Sequence, residues 1–197
     1  ILPSEDKDIG SRLHRIFEKQ KINIFTSSKV KKIIKNNENL DVIVDTPTKE
    51  ITFNVEKVLL ASGRRPNIEN IGLDKIGINF SSKGITINDF METNIKNIFA
   101  IGDVVGGGLA HIAFEGGFTA AENAMGLNSK INLSNIPRCV YTIPEIAAVG
   151  LTEHEAINKN YKISIGQFHS QASGRAHTQG YTEGFIKLIC ETDSGKI

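Results

Sequence analysis

The chain has 197 residues, of which 40% are hydrophobic and 23% are charged, and its formal net charge at pH 7 is +1. This composition is typical of a globular chain of one or two domains, and so small a net charge gives no basic field for nucleic acid or an anionic membrane surface. Since no apolar run approaches the roughly 18 residues of a membrane span, we expect neither nucleic acid nor a membrane as a partner.

The first part, residues 1–63, predicts one helix followed by short strands. Apolar residues recur at helical spacing over Asp8–Gln20, which indicates an amphipathic helix with Asp6 or Asp8 as a cap or as a complement to its dipole. Strand patterns follow at Ile22–Thr26, Lys29–Ile34, Leu40–Asp45, Glu50–Asn54 and Val58–Ala61. This order indicates a parallel strand and a small antiparallel meander, closed by an apolar strand.

Gly63, Arg64 and Arg65 come directly after the apolar strand. A glycine at a strand end permits close approach of the backbone to a ligand, and a simple turn explains it equally well. The arginine pair suits a phosphate group or ion pairs at a hinge. Pro66 stiffens the exit from this segment, which favours the hinge.

The second part, residues 64–134, contains the most informative stretch, T-N-I-K-N-I-F-A-I-G-D, which ends at Asp103. The apolar run Ile98–Ile101 predicts a strand buried on both faces of a parallel sheet. A carboxylate at the end of such a strand, before a glycine loop and a helix start, lies where open α/β sheets bind ligands. Asp103 therefore suits the hydroxyls of a sugar or polyol, although Asp also commonly caps turns and helices.

A helix is predicted over Leu109–Met125, where several alanines allow close packing. Its first turn would present free backbone amides at Leu109, Ala110 and His111, together with the positive end of the helix dipole. Two glycines in the middle of the helix lower its propensity by roughly 1 kcal/mol each relative to alanine.

The third part, residues 135–197, predicts a small mixed structure. Its elements are a strand at Ile146–Val149, a capped helix start at Thr152 with Glu155, and half-buried strands at Tyr161–Phe168 and Gly184–Ile189. Cys139 and Cys190 lack the spacing of a redox pair, which favours structural thiols in a reducing compartment. No histidine pairs with a cysteine at metal-ligand spacing, so no metal site is expected.

Three segments together resemble a known family. T-N-I-K-N-I-F-A-I-G-D with the following L-A-H resembles the second flavin motif of the two-dinucleotide-binding-domain flavoproteins. V-L-L-A-S-G-R-R-P-N at 58–67 resembles the crossing segment of the pyridine nucleotide–disulfide oxidoreductases, with Ser62 where threonine is usual. I-P-R-C-V-Y-T-I-P-E-I-A-A-V-G at 136–150 is similar to the opening of their interface domain, in wording closest to the dihydrolipoyl dehydrogenase branch.

The resemblance implies an α/β fold made of partial Rossmann-like FAD and NAD domains and the start of an α+β interface domain. It implies the second half of the NAD-binding domain at 1–63, a returning segment of the FAD-binding domain at 64–134 and the N-terminal part of the dimerisation domain at 135–197.

The resemblance also implies two cofactors, FAD and NAD. Asp103 would hold the ribityl chain of FAD, and the backbone of Leu109, Ala110 and His111 would face the flavin. For NAD, backbone near Val30 would contact the adenine end and Gly63 would lie against the cofactor, although a strand-core valine explains Val30 equally well.

The implied activity is FAD-dependent oxidation of protein-bound dihydrolipoamide with NAD⁺ as acceptor. The implied form is a homodimer that serves lipoyl domains of 2-oxoacid dehydrogenase complexes, in the cytoplasm or, in a eukaryote, the mitochondrial matrix. Another disulfide or mercuric reductase of the same family, and a non-catalytic interaction module, remain open alternatives.

Several motifs of the family do not occur in this sequence: a G-x-G-x-x-G fingerprint, a C-x-x-x-x-C redox pair and the terminal acid–base histidine segment. We therefore expect no catalytic residue here, interpret the chain as an internal part of a longer enzyme, and expect the 197 residues alone to be inactive. His111 is not expected to be the acid–base group, because a helix N-terminus disfavours an imidazolium.

Overall fold

The structure is a computed structural model that describes residues 1–106 and 108–197. The helices in these ranges are α1 (Lys7–Lys19), α2 (Ala110–Ala124), α3 (Glu153–Asn158) and α4 (Gly174–Gln179). The strands are β1 (Lys29–Asn36), β2 (Asn39–Asp45), β3 (Glu50–Val55), β4 (Phe80–Ser81), β5 (Gly84–Ile85), β6 (Arg138–Val140), β7 (Ile146–Ala148), β8 (Ile163–His169) and β9 (Phe185–Glu191). The chain divides into two compact units, one made of Ile1–Ala61 with Thr152–Ile197 and the other of Ser62–Leu151.

The first unit contains an antiparallel sheet in the order β1-β2-β3. Asn37 adopts a φ of 54° in the turn between the first two strands, and Val42 and Val44 of the central strand are buried. The predicted meander is confirmed, because each strand pairs with its neighbour along the chain and the tight turns read from the sequence are sufficient to form it.

Helix α1 confirms the predicted amphipathic helix. Leu13 and Ile16 are buried on its inner face. Asp8 lies in the first turn, where its charge complements the helix dipole. Asp6 occupies the N-cap position, but its side chain makes no cap hydrogen bond and instead accepts one from the amide of Glu153 at 3.0 Å, so the predicted role falls to Asp8.

The charged centre of the first unit is Lys187 on β9. Its side chain is only 7% exposed, and its ammonium lies 2.6 Å from Glu153 Oε2, 2.8 Å from Asp8 Oδ2 and 3.1 Å from Asp6 Oδ1. Burial lowers the pKa of Lys187, but hydrogen bonds to the three carboxylates outweigh burial and raise it above its ordinary value. One ammonium therefore ties together the starts of α1 and α3 and the middle of β9.

The second unit is built on an apolar cluster. Its buried members are Ile68, Leu73, Ile78, Ile85 and Ala100. Val104 and Val105 are partly buried and pack against this cluster. The residues directly after Asp103 are therefore anchored in the core.

Several other local predictions are confirmed as well. Helix α2 forms where alanine-rich spacing predicts it. At α3, the Thr152 hydroxyl accepts a hydrogen bond from the Glu155 amide at 3.2 Å, and the Glu155 carboxylate accepts one from the Thr152 amide at 2.8 Å, which is the predicted capping box. Strands β8 and β9 form the predicted antiparallel pair, and β7 forms at the predicted position. The predicted half-burial of β8 is wrong, because six of its seven residues are exposed.

Two predicted strands of the first part are wrong. Ile22–Thr26 is irregular and packs Phe25 on Phe53, with ring centroids 5.0 Å apart. Val58–Ala61 is irregular, and its Leu59 is 91% exposed. A parallel strand forms only when a strand from elsewhere in the sequence supplies the ladder, and none of the strands in the described ranges pairs with these segments.

The prediction of a strand buried on both faces at Ile98–Ile101 is also wrong. The segment is extended, but within the described residues its only ladder contact is an isolated antiparallel bridge between Phe99 and Glu92. Ala100 is buried, whereas Ile101 is 41% exposed. One side of the segment packs on the core, and the other side is only partly covered.

We expect Lys187→Met to lower the free energy of unfolding at pH 7 by about 2–3 kcal/mol. Removing one partner of a buried charge cluster typically costs roughly 3–5 kcal/mol, and the partial exposure of Asp8 and Glu153 reduces that cost. Urea unfolding measures the change. Lys31→Met is the matched control, because Lys31 lies 2.7 Å from Glu50 but is solvent-exposed, and no comparable loss is expected.

The pH dependence of this loss has a defined sign. Burial raises the pKa of Asp6, but hydrogen bonds from the Glu153 amide and from Lys187 outweigh it and hold the pKa below its ordinary value of 3.8. Its stabilising contribution is therefore present above pH 3.8 and is lost as the pH falls through the folded-state pKa. The raised pKa of Lys187 gives a contribution that is present below pH 10.5 and is lost as the pH rises through the folded-state value.

In Lys187→Met the three carboxylates repel one another, so the stability difference from the wild type should shrink as the pH falls towards 4. A loss of the same size at pH 7 and pH 4 would contradict the electrostatic explanation.

Candidate functional site

Asp103 lies in a 3₁₀ turn, Gly102–Val105, which follows the extended segment 98–101. Gly102 has a φ of 72°, which turns the chain sharply before the carboxylate. The carbonyl of Asp103 accepts a hydrogen bond from the Gly106 amide at 3.1 Å and closes the turn. Its side chain is not the N-cap of the turn, since Ile101 occupies that position.

A backbone-to-backbone contact fixes the position of this turn. Gly84 of β5 has a φ of 124°, and a Cβ on it would lie 2.6 Å from the carbonyl oxygen of Val104 and 2.8 Å from the amide nitrogen of Gly106. A Cβ on Gly106 would likewise collide with the carbonyl oxygen of Lys83. Only glycine fits at both positions, so the β4–β5 hairpin and the turn pack without side chains between them.

The carboxylate of Asp103 is half-exposed and interacts with Arg64. Arg64 Nη2 lies 3.3 Å from Asp103 Oδ2. Within the described ranges no backbone amide donates a hydrogen bond to this carboxylate. The alternative explanation, that Asp103 caps a turn or a helix, therefore has no supporting contact among these residues. One oxygen and most of the lone pairs of the carboxylate remain available to hydroxyl donors.

Helix α2 begins beside the turn. A Cβ on Gly102 would lie 3.7 Å from the Cβ of Ala113 in the first turns of the helix. The N-cap residue, Leu109, provides no side-chain cap. In the described part of the chain, the amides of Leu109, Ala110 and His111 donate no hydrogen bond that closes the helix, so this end keeps its donors and its positive dipole.

Gly116, in the middle of α2, has a packing role. A Cβ on Gly116 would lie 3.2 Å from the sulfur of Met91 and 3.6 Å from Cγ2 of Ile101. Since the side chain is missing, the helix approaches the segment that leads to Asp103 closely. The cost in helix propensity is offset by this approach.

The two residues predicted to contact NAD lie in different units. Gly63 is exposed, has a φ of 106° and has no atom within 4 Å of its would-be Cβ. Val30 is on β1, at a register irregularity, and is 53% exposed, so it is not a core valine. Gly63 adjoins Arg64 and therefore belongs to the same unit as Asp103.

The sequence did not reveal the pairing of Arg64 with Asp103 or the contact of Gly84 with the turn. Both depend on residues that are distant along the chain. The available signal for Gly84 was weak: a glycine in the tight turn S-S-K-G before a short strand.

One cluster has the spacing of a metal site. Among the described residues, Asp6, Asp8 and Glu153 bring their carboxylate oxygens within 4.8 Å of one another. The Lys187 ammonium lies at 2.6–3.1 Å from all three and supplies the positive charge that they require.

Cys139 and Cys190 are free and partly buried. In the part of the chain that is described, no helix is both long and apolar enough to cross a bilayer.

Comparison with known proteins identifies the class. Residues 1–126 match the family described as pyridine nucleotide-disulphide oxidoreductase, and residues 136–197 match the dimerisation domain of that family. The chain therefore belongs to the pyridine nucleotide-disulphide oxidoreductases, and the predicted family membership is confirmed. The mixed α/β fold, with a partial nucleotide-binding part and the start of a dimerisation domain, is confirmed as well.

Individual relatives lie within one branch of that family. Dihydrolipoyl dehydrogenase of Bacillus subtilis is 36% identical over 198 residues, which is 100% of this chain and 43% of the relative. Dihydrolipoyl dehydrogenase of Thermus scotoductus is 40% identical over 201 residues, which is 98% of this chain and 43% of the relative. The chain thus spans less than half the length of these curated relatives.

Solved structures are similar to the chain over nearly its whole length. LpdA from Mycobacterium tuberculosis matches with a TM-score of 0.87 and 26% identity, over 98% of this chain and 42% of that one. The Cu(II) complex of the HOCl-induced flavoprotein disulfide reductase RclA from Escherichia coli matches with a TM-score of 0.84 and 25% identity, over 97% and 44%.

We expect Gly84→Ala to destabilise the second unit more than an ordinary glycine replacement at positive φ. Gly77→Ala is the control, because Gly77 also has a positive φ, 73°, but has open space around its would-be Cβ. The control should cost roughly 1–2 kcal/mol for the strained backbone. Gly84→Ala should cost about 1–3 kcal/mol more, because the new methyl group overlaps the backbone of the turn. Equal losses in urea unfolding would show that the hairpin and the turn are not in close contact.

Proposed function

We propose that the protein carrying this chain is an FAD-dependent oxidoreductase that oxidises dihydrolipoamide with NAD⁺ as acceptor. The observation that carries this proposal is the position of Asp103, with its carboxylate held on a rigid turn beside the uncapped start of α2. The similarity to dihydrolipoyl dehydrogenases at 36–40% identity supports the choice of substrate.

The residues of this unit fit a flavin nucleotide chemically. An ionised carboxylate with free lone pairs accepts hydrogen bonds from the hydroxyls of a ribityl chain. The open amides of Leu109, Ala110 and His111 suit an electron-rich ring edge or another anionic group. The glycines around the turn leave backbone close to the surface, where a flat or extended ligand can approach.

The chain's own residues have binding roles in this proposal. FAD, when bound, supplies the two-electron chemistry between a dithiol and NAD⁺. Asp103 would orient FAD by accepting hydrogen bonds from the hydroxyls of its ribityl chain. The start of α2 would stabilise negative charge at the ring edge, because fixed amide dipoles need no reorganisation as charge develops.

No acid, base or redox thiol of the reaction is assigned to this chain. His111 lies at the start of α2, where its amide is the useful group, and we assign its side chain a packing or orienting role. Val30 and Gly63 are proposed to contact NAD through their backbone, and the exposure of both residues is compatible with this role.

We further infer that the protein forms a homodimer through residues 136–197, which match a dimerisation domain. Lipoyl domains of 2-oxoacid dehydrogenase complexes are the inferred protein substrates. The inferred location is the cytoplasm, or the mitochondrial matrix in a eukaryote.

A second candidate is a different disulfide reductase of the same family. The similarity to the flavoprotein disulfide reductase RclA, with a TM-score of 0.84, favours it specifically. Turnover of dihydrolipoamide against turnover of other disulfides separates the two candidates. A colourless purified protein without flavin absorbance would instead favour a non-catalytic module.

We expect Asp103→Ala to weaken FAD binding roughly 10- to 100-fold, because a hydrogen bond to a charged acceptor contributes about 1.5–3 kcal/mol. Fluorescence titration of the apoprotein with FAD measures this. Asp89→Ala is the control, since Asp89 is also an exposed, ion-paired aspartate of the same unit, 3.8 Å from Lys130. Unchanged FAD affinity in Asp103→Ala would remove the basis of the proposed flavin site.

A further inference from the structure

We propose that Arg64 is a positioning residue of the flavin site, which holds the Asp103 carboxylate so that its free oxygen faces the ligand. This inference rests on the proposed function of Asp103. The contact that carries it is the single ion pair from Arg64 Nη2 to Asp103 Oδ2, at 3.3 Å. An end-on contact of this kind occupies one carboxylate oxygen and leaves the other to hydroxyl donors.

A contribution to stability does not explain this pair. The side chains of Arg64 and Asp103 are 88% and 57% exposed. Exposed ion pairs typically contribute only about 0.2–1 kcal/mol, because solvent screens them and two side chains lose rotamer freedom. An orientation of the carboxylate before ligand binding is a role in which such a weak contact has a measurable effect, since it lowers the entropy cost of binding.

The chain that follows each member of the pair reaches the apolar cluster of the second unit. Arg64 is followed by Pro66, which fixes its own φ, and by Ile68, which is buried in the apolar cluster of the second unit. Asp103 is followed by Val104, which packs on the same cluster. Two segments that are remote in sequence thus place their charges next to each other beside one core.

The neighbouring Arg65 is a control that distinguishes the effect of the position of Arg64 from the effect of its charge. Arg65 Nη2 lies 3.4 Å from Glu69 Oε1, and its side chain is 82% exposed. Arg65 therefore has the same charge, nearly the same exposure and an ion pair of its own, but no ion pair with Asp103 within the described residues. Any general effect of removing a positive charge from this surface should appear equally in both arginines.

The test uses the apo form of the protein that carries this chain, titrated with FAD at low salt. Arg64→Ala should raise the dissociation constant about 3- to 5-fold, as expected for loss of an exposed charge contact. Arg64→Lys should recover most of the affinity, because a lysine can supply the same point charge. Arg65→Ala should leave the affinity unchanged.

The double variant Arg64→Ala/Asp103→Ala decides how Arg64 acts. If Arg64 works through Asp103, removing it from Asp103→Ala should change nothing further. A further loss of the same size would show that Arg64 contacts the cofactor itself, which contradicts a positioning role. The wild-type advantage over Arg64→Ala should also diminish in 0.5 M salt, because an exposed pair is screened.

The outcomes distinguish this inference from the function on which it rests. Weak FAD binding in Asp103→Ala with normal binding in Arg64→Ala would overturn the role of Arg64 alone. Normal binding in Asp103→Ala would overturn the flavin site and the role of Arg64 together. Urea unfolding should give the same free energy for Arg64→Ala and Arg65→Ala, and a selective loss in Arg64→Ala would assign the pair to stability instead.

Discussion

The candidate site depends on the contact between Gly84 and the backbone of the turn that carries Asp103. Backbone atoms approach so closely there that no side chain fits between them. Close packing of this kind leaves few alternative positions for the turn, because protein interiors do not deform continuously. Gly116 also allows close packing, but there α2 lies against the side chains of Met91 and Ile101. The turn that carries Asp103 and the start of α2 therefore lie close together, and glycines at both permit this approach.

The first unit is held together in a different way. Its charged centre places one ammonium among three carboxylates, and a cluster of this kind adds little net stability compared with a well-packed apolar group. It does define the partner of Asp6, since that carboxylate is only 11% exposed and would be unfavourable without the ammonium. Lys187 therefore fixes the relative positions of α1, α3 and β9, and its contribution to net stability is the smaller effect. Close packing of glycines thus positions the candidate site in the second unit, whereas a charge cluster holds the elements of the first unit together.

Sequence reasoning succeeded where structure is local. The meander, α1, α2 and the capping box at Thr152 were predicted because their hydrogen bonds join residues that are close along the chain. The segments 22–26, 58–61 and 98–101 were predicted as strands and are not, because an apolar run does not reveal whether a neighbouring strand is available. Asp103 was predicted as a site residue from its motif, whereas its ion pair with Arg64 was not predicted, since no short-range pattern encodes a contact between remote segments. The burial of Lys187 was also hidden, because strand alternation predicts which residues share a face but not what covers it.

Hydrogen–deuterium exchange of the protein that carries this chain, with and without FAD, tests most directly whether the Asp103 turn and the start of α2 form the cofactor surface. If they do, saturating FAD should slow exchange in peptides covering residues 99–113, because the open amides at 109–111 gain acceptors and the turn loses solvent. Peptides covering β1 to β3 should change far less. Stoichiometric FAD binding with unchanged exchange across 99–113 would contradict the account.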